Sequence, residues 1–252
     1  MKHNFRLSGI TTVLAATTAA ATLITGLTIS TSGAGLAQTA KENPQSITIV
    51  AATTNGSPVT QANPQHLASL TTSRTCQRCE LMGINVQGKN LQGSFLDVAD
   101  MRRSNLNNAN LSYSTMYYVD LRSADLQNAD FRNTFLIYGA MTQANLNGIN
   151  ARDSRWKYAN LRGANLQNAN LIGIELVYAN LSRTNLSNAS LRNAKLYRAN
   201  LVQANLRGAD LFMADLTGAD LDEADLTDAN LCRTTMPDGS ISSKGCLLPA
   251  NN

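Results

Sequence analysis

A five-residue period runs through most of this chain and limits how it can fold. Over residues 79–238 the pattern recurs in 32 units without an insertion or deletion: the central residue is Leu in 24 units, and the residue two positions earlier is Ala in 18. Five residues turn an α-helix by about 500°, so successive leucines would spread around its whole surface. A plain strand alternates its side chains with a period of two. The repeat therefore predicts short extended pieces joined by corners, stacked into a β-solenoid that buries Leu and Ala.

One column of the repeat breaks at a fixed interval. The residue before the central one is Asp or Asn at 21 of 24 positions on three sides of the coil, but at one of 8 positions spaced twenty residues apart. Those eight residues are Phe95, Thr115, Phe135, Arg155, Glu175, Lys195, Asp215 and Thr235. A defect that returns every twenty residues predicts four units per coil, with one side unlike the others. The array would hold about eight coils and measure roughly 38 Å, at ~4.8 Å per coil.

The A-[DN]-L-x-x array over residues 79–238 resembles the pentapeptide-repeat family. That resemblance implies an all-β fold, a right-handed quadrilateral β-helix, and a protein without enzymatic activity. The ends of the array, CQRCELMGINVQG at residues 76–88 and LCRTTMPDGSISSKGC at residues 231–246, are similar to exported cyanobacterial members. Ile84, Val86 and Lys89 depart from the repeat, so we expect an irregular first coil within a solenoid of residues 76–238.

Catalytic motifs are missing from the array. It contains no histidine, no nucleophile elbow and no Gly-rich phosphate loop, so we predict that the protein is not an enzyme and uses no cofactor. Some pentapeptide-repeat proteins mimic DNA and bind a topoisomerase, which requires an acidic rod in the cytoplasm. This array carries 15 bases and 16 acids. We therefore expect a protein partner and no nucleic acid.

The N-terminal residues have the pattern of a secretory signal. Lys2 and Arg6 precede an uncharged apolar stretch over residues 7–29, and small residues follow up to Ala37. We predict a signal peptide over residues 1–37, with an uncleaved anchor as the alternative because the stretch is about long enough to span a membrane. The mature chain would then lack a membrane span and lie in the periplasm, the thylakoid lumen or outside the cell.

The residues after the predicted signal are small and polar. Residues 38–75 contain few large apolar groups, and such a segment cannot bury enough surface to offset its ordering entropy. We predict a flexible leader, within which residues 46–51 could pair as a short strand.

Four cysteines flank the array, Cys76 and Cys79 at its start and Cys232 and Cys246 at its end. Export permits disulfides, and bridged Cα atoms must lie within about 7 Å. A rod of this length therefore allows pairing only within each end. Cys232–Cys246 would fold residues 239–252 as a capping tail over the open edge of the last coil. A redox pair or half of a zinc site remains the alternative for Cys76-x-x-Cys79.

Tyrosines gather on the odd side of the coil, which holds six of the seven in the chain. Together with one phenylalanine and two cations they form the candidate protein-binding site, called here the tyrosine face: Tyr117, Tyr118, Phe135, Tyr138, Lys157, Tyr158, Tyr178, Tyr197 and Arg198. Stacking of the coils would bring the tyrosines within about 5 Å of one another. Such a ladder either stabilises the solenoid, as cross-strand aromatic pairs do, or forms an exposed patch for a partner.

The core and the charge distribution give two further expectations. Trp156 is too large for a Leu position, but the adjacent central residue is the small Ala151, so we predict that both lie in the core. Residues 79–208 carry a net charge of +6 and residues 209–238 a net charge of −7. This asymmetry could orient the rod on a partner or join copies end to end; a solvated acidic end and a Ca²⁺ site are the alternatives.

These features predict an exported, non-enzymatic scaffold or protein-interaction rod, monomeric or joined end to end. The alternative is a purely structural, envelope-associated solenoid without a specific ligand. A metal-binding or redox role at the capped ends is a third alternative.

Overall fold

The computed structural model describes residues 27–31, 36–40 and 62–246. Strands β1 (Leu27–Thr31) and β2 (Leu36–Ala40) pair in antiparallel fashion, with Leu27 opposite Ala40. Helix α1 spans Pro64–Thr72 and precedes the repeats. The strand predicted at residues 46–51 lies outside the described residues, as does most of the predicted signal peptide. None of the helices in the described ranges is long and apolar enough to cross a membrane.

Parallel β-bridges with a constant step of twenty residues build the array. On the tyrosine side they run from Thr75–Phe95 to Asp215–Thr235, and the eight bridges of this column mark eight successive coils. The other three columns have the same step, as in Asp100–Asp120 and Asn145–Asn165. The predicted arrangement of four units per coil is therefore confirmed.

Each unit ends in a tight turn, which explains both the corners and the Asp/Asn column. In the unit centred on Leu106, the Ala109 N–H donates to the Leu106 carbonyl at 2.9 Å, and Asn108 has φ +57°. A positive φ at the third residue is typical of a type II turn, where Gly and Asn are favoured. The Asn105 side-chain oxygen accepts the Asn107 N–H at 3.1 Å. Asp and Asn recur because they satisfy this turn amide.

The core is a column of central residues with the small residues two positions before them, almost all fully buried. The prediction of an irregular first coil is wrong. Ile84 and Val86 are buried at inner positions, and the Ile84 N–H closes the usual turn onto the Leu81 carbonyl at 3.1 Å. Both side chains are apolar, so they replace Ala and Leu at the end of the core without breaking the coil.

The flexible leader predicted over residues 38–75 is wrong for its last part, because α1 caps the first coil. The Asn63 side chain accepts the Gln65 N–H at 3.0 Å and caps the helix. Leu67 and Leu70 are buried in the same cluster as the coil interior. The Asn63 N–H also donates to the Glu80 carbonyl at 3.1 Å. Two leucines are enough to order this segment because they pack on a core that already exists, which composition alone does not reveal.

Trp156 is fully buried, as predicted, and Ala151 is buried in the same coil. The indole packs edge-on against Phe131, with ring centroids 6.0 Å apart and an interplanar angle of 82°. Its N–H donates to Thr134 Oγ1 at 3.0 Å. The core therefore supplies the polar partner that a buried indole requires.

The predicted capping tail lies on the last coil but covers only part of its edge. The Leu231 N–H donates to the Lys244 carbonyl at 3.0 Å and the Arg233 N–H to the Ser242 carbonyl at 2.8 Å. Residues 247–252 of the predicted tail lie outside the described residues. Over the preceding two sides the N–H groups of four residues have no backbone acceptor within the described ranges: Leu221, Glu223, Leu226 and Asp228.

Candidate functional site

Four tyrosines form a continuous stacked column on the surface of the array. The ring centroids of Tyr118 and Tyr138 are 5.0 Å apart, those of Tyr138 and Tyr158 are 4.8 Å apart, and those of Tyr158 and Tyr178 are 5.3 Å apart. Each pair of planes lies within 11° of parallel. Tyr197 ends the column, edge-on to Tyr178 at 5.8 Å and 89°. The spacing is the one that the twenty-residue period predicts.

These four tyrosines adopt an unusual backbone conformation for an aromatic residue. Their φ angles lie between +57° and +59°, at a turn position where other units have Gly or Asn but also Arg, Gln or Asp. The left-handed region costs a non-glycine residue about 1–2 kcal/mol. An aromatic pair contributes about 0.5–1.5 kcal/mol beyond its buried area. Stacking is therefore of the same order as the cost of the conformation and offsets part of it, which supports a structural contribution of the ladder.

The rings nevertheless remain accessible. Tyr118 is 58% exposed, Tyr138 47%, Tyr158 44% and Tyr178 40%. A ladder that served packing alone would not need four half-exposed rings in one line. Because exposed tyrosines combine a large apolar surface with a hydroxyl group, they are frequent at protein interfaces.

Exposed apolar side chains extend the face toward the first coil. Phe95 and Val98 are each 50% exposed, and both were missed as site residues in the sequence. The bridges Phe95–Thr115 and Thr115–Phe135 place Phe95 and Phe135 in one column beside the tyrosines. Tyr117 and Phe135 are half-buried. The signal for Phe95 was its place in the column where Asp or Asn occurs only once.

Toward the last coil the face becomes positively charged. Lys157 Nζ lies 2.9 Å from Glu175 Oε2, Lys195 Nζ lies 2.9 Å from Glu175 Oε1, and Arg155 Nε lies 3.9 Å from Oε2. Burial alone would raise the pKa of Glu175, but the hydrogen bonds and charges of Lys195 and Lys157 outweigh it and lower that pKa. Glu175 is therefore an ionised carboxylate shared by three cations.

Arg198 adds a fourth cation to the tyrosine face, in the coil after that of Glu175. Its guanidinium lies over the Tyr197 ring, 5.3 Å from the centroid. No carboxylate within residues 62–246 forms an ion pair with it. Arg155, Lys157, Lys195 and Arg198 are called here the cationic cluster. The tyrosine face thus has an aromatic half and a cationic half, and Arg155 and Lys195 were not among the predicted site residues.

The side of the coil two units away has a different surface. Amide side chains there form a hydrogen-bonded ladder, in which Asn165 Nδ2 donates to Asn145 Oδ1 at 3.4 Å and Asn185 Nδ2 donates to Asn165 Oδ1 at 3.2 Å. Asn205 continues it to Asn185 at 3.2 Å. This side has Asn or Asp in every coil, whereas the corresponding column of the tyrosine face varies from coil to coil.

The cysteines meet within each end, as the length of the rod predicts. The Cα atoms of Cys76 and Cys79 are 5.3 Å apart and those of Cys232 and Cys246 are 4.7 Å apart, with each sulfur pair at disulfide distance. In the described part of the chain, no three side chains of His, Cys, Asp or Glu converge as metal ligands.

Most of the array matches the model of one protein family. The model of the pentapeptide repeats matches 8 copies, over residues 79–116, 99–136, 144–177, 174–211 and 213–238. None of the curated proteins with which the sequence was compared matches it.

Several solved structures are similar to this chain. A trypsin-treated variant of QnrB1, a plasmid-mediated fluoroquinolone resistance protein, has a TM-score of 0.60 at 17% identity over 70% of this chain and 89% of its own, a likeness of fold alone. HetL, involved in heterocyst differentiation regulation in the cyanobacterium Nostoc sp. strain PCC 7120, is 28% identical over 71% and 97%, with a TM-score of 0.28. A thylakoid lumen protein of Arabidopsis thaliana is 26% identical over 48% and 70%, with a TM-score of 0.18.

Proposed function

Because this chain belongs to the pentapeptide-repeat family, we propose that it is an exported, non-enzymatic scaffold that binds a protein partner through its tyrosine face. Proteins of this family are structural or interaction proteins. We assign the array the family's right-handed quadrilateral form. The partner would dock along the rod, across several coils.

One observation carries this proposal: four stacked tyrosines, each 40–58% exposed, continue into the exposed side chains of Phe95 and Val98. Contiguous exposed apolar surface is uncommon on soluble proteins and typically marks a contact site. The ladder also fixes the rings in advance, so a partner would not have to order them on binding. Tyr113, at 59% exposure on another side of the coil, has no such neighbours among the described aromatic contacts.

The proposal of export is supported by the predicted signal peptide and by the pairing of all four cysteines at disulfide distance. The periplasm, the thylakoid lumen and the extracellular space are all consistent with these two features.

The second candidate is a purely structural, envelope-associated solenoid. It is favoured by the size of the stacking contribution, which can offset part of the backbone cost of four tyrosines in the left-handed region. A ladder of that kind would need no partner.

Partner capture from the exported fraction of the source organism separates the two candidates. The test variant replaces Tyr118, Tyr138, Tyr158 and Tyr178 by Asn, which tolerates a positive φ and stands at equivalent corners such as Asn108 and Asn168. The control is Tyr113→Asn, at another exposed corner with φ +62°. Circular dichroism verifies that each variant folds.

We expect a partner that the native protein and Tyr113→Asn retain and the fourfold variant loses. Capture by none of the three proteins would favour the structural solenoid. Equal capture by all three would show that a partner binds outside the tyrosine face and would contradict the proposed site.

A further inference from the structure

Charge is unbalanced at only one place among the ion pairs of the described residues. The pairs Arg132–Asp130, Arg152–Asp153, Arg192–Asp210 and Arg207–Asp228 match one cation to one carboxylate. Arg102 and Arg122 share Asp100 and Asp120, two to two. In the cationic cluster, by contrast, three cations share Glu175. Arg198, like Arg103, Arg162 and Arg183, forms no ion pair within the described ranges.

The next acid in the same bridge column does not cancel this excess. Asp215 follows Lys195 in the bridge column, but its Oδ1 accepts the Thr217 N–H at 2.9 Å and the Thr217 hydroxyl at 2.5 Å. Even with Asp215 counted, four cations face two carboxylates. The cluster therefore has at least two positive charges without a matching negative charge.

The cations remain accessible to a partner. The side chains of Arg155 and Lys195 are 56% and 59% exposed, whereas that of Glu175 is 17% exposed. Arg155 also lies over the Phe135 ring, 5.2 Å from the centroid, and Arg198 lies over Tyr197. These ring contacts hold the guanidinium groups against the aromatic half of the face. One partner can therefore contact the positive charges and the aromatic rings at the same time.

The spacing of the charges favours an extended peptide. Arg155 and Lys157 lie one coil before Glu175, and Lys195 and Arg198 lie one coil after it. Two coils span roughly 10 Å. In an extended polyproline II segment, with about 3 residues per turn and a rise of ~3.1 Å per residue, residues i and i+3 lie on the same side at about that distance. A single small anion would reach only one side of Glu175, whereas two acidic side chains of one segment reach both.

Charge elsewhere on the rod argues against a long polyanion. Residues 209–238 carry 8 acids and 1 base, net −7, immediately beyond the cluster. Double-stranded DNA carries one negative charge per ~1.7 Å of its axis, so it would run from the cluster onto these acidic coils. A short acidic segment ends before it meets them.

We propose that the partner docks on the tyrosine face through a short segment in the extended polyproline II conformation. Two acidic side chains at positions i and i+3 of that segment bind the cationic cluster on either side of Glu175. Aromatic or apolar side chains of the same segment pack against Tyr138 and Tyr158. This inference rests on the proposed function and adds the chemistry of the partner. Complementary charge would set the orientation and the association rate, and the ladder would supply the apolar contact.

The probe is a fluorescently labelled peptide, Gly-Tyr-Glu-Ser-Tyr-Glu-Tyr-Gly, whose two glutamates are three residues apart. Its comparison peptide carries Gln at both positions, and fluorescence anisotropy measures Kd for the full mature chain. We expect the Glu peptide to bind about tenfold more tightly, as two partly exposed ion pairs allow. The preference should shrink between about 50 mM and 500 mM salt because salt screens exposed charges.

Two double variants with the same change in net charge locate the effect. Lys195→Gln with Arg198→Asn removes two cluster cations, and Asn suits the φ of +52° at position 198. Arg103→Asn with Arg152→Gln removes two cations on other sides, including one at a corner with φ +56°. We expect the first variant to lose the preference for the Glu peptide and the second to keep it.

Other outcomes overturn the inference. These are equal binding of both peptides, no binding of either, an equal loss in both variants, or tighter binding of a single-stranded oligodeoxynucleotide than of the Glu peptide. The proposed function is tested separately. It is wrong if the fourfold tyrosine variant still captures the partner. If capture requires the tyrosines but not Lys195 and Arg198, only the present inference is wrong.

Discussion

Tyr138 and Tyr158 stack with their ring centroids 4.8 Å apart and their planes 11° apart, although twenty residues separate them in the chain. The coil places them in register, and the corner at which each lies gives both a positive φ. Because this conformation suits Asn and Gly better than Tyr, the ladder combines a local cost with a contact between coils.

Replacing one ladder tyrosine separates these two contributions. Tyr138→Asn removes two stacking contacts but relieves the backbone, so we expect its free energy of unfolding to change by no more than about 1–2 kcal/mol. Tyr138→Val loses the same contacts and places a β-branched residue at φ +59°, so it should be clearly less stable than the Asn variant. Urea unfolding of both variants measures the difference. Equal stability of the two would show that the backbone conformation carries no cost here.

The buried indole of Trp156 provides a second test. Thr134→Val keeps the volume near the ring but removes the oxygen that accepts the indole N–H at 3.0 Å. A buried donor without an acceptor costs about 1–3 kcal/mol. Thr184→Val is the control, because the Thr184 hydroxyl donates to the Leu161 carbonyl and not to a tryptophan side chain. A loss no larger for Thr134→Val than for Thr184→Val would contradict the importance of this contact.

Acid should weaken the ion pairs around Glu175 in a defined pH window. The pKa of Glu175 is lowered from its ordinary value of 4.5 because Lys195 and Lys157 outweigh the effect of burial. Its contribution is therefore fully present above about pH 4.5 and is lost as the pH falls through the lowered pKa.

The Glu175→Gln variant isolates that contribution. The native protein should be more stable at neutral pH, and the difference in urea midpoint should shrink below about pH 4.5. Asp100 and Asp130, whose pKa values are also lowered, are present in both proteins and cancel. A difference that stays constant down to the pH of acid unfolding would contradict the predicted window.

The two ends should respond differently to loss of their cysteine pairs. The Cys232–Cys246 pair has a sequence separation of 14, and a loop of that size stabilises by about 3 kcal/mol when closed by a disulfide. The Cys76–Cys79 pair has a separation of 3 and constrains the unfolded chain less. We expect Cys232→Ser with Cys246→Ser to lower the melting temperature more than Cys76→Ser with Cys79→Ser. Thiol titration should find no free thiol in the native protein, and four reactive thiols would refute the pairing.

Periodicity predicted the parts of this fold that depend on stacking. The defects at Phe95, Phe135 and Arg155 return every twenty residues because the side chains of one column are neighbours in space, so the coil size and the tyrosine spacing followed from the sequence. Helix α1 was missed because its order comes from packing Leu67 and Leu70 on the first coil, not from its own composition.

The contacts around individual side chains were harder to predict. Thr134 accepts the indole N–H of Trp156, which lies twenty-two residues away in the chain. A polar residue at a position usually occupied by Ala does not indicate which side chain it contacts. Lys157 and Arg198 were predicted as site residues, but the charge excess around Glu175 depends on side-chain directions that a repeat pattern does not specify.

Chemical protection of individual tyrosines tests the central claim most directly. The native protein, alone and in its partner complex, is nitrated with tetranitromethane, and each tyrosine is quantified by mass spectrometry. We predict that the partner lowers nitration of Tyr138 and Tyr158 but leaves Tyr113 unchanged, because Tyr113 lies on another side of the coil. Equal nitration of Tyr138 and Tyr158 with and without the partner would contradict the assignment of the tyrosine face as the binding site.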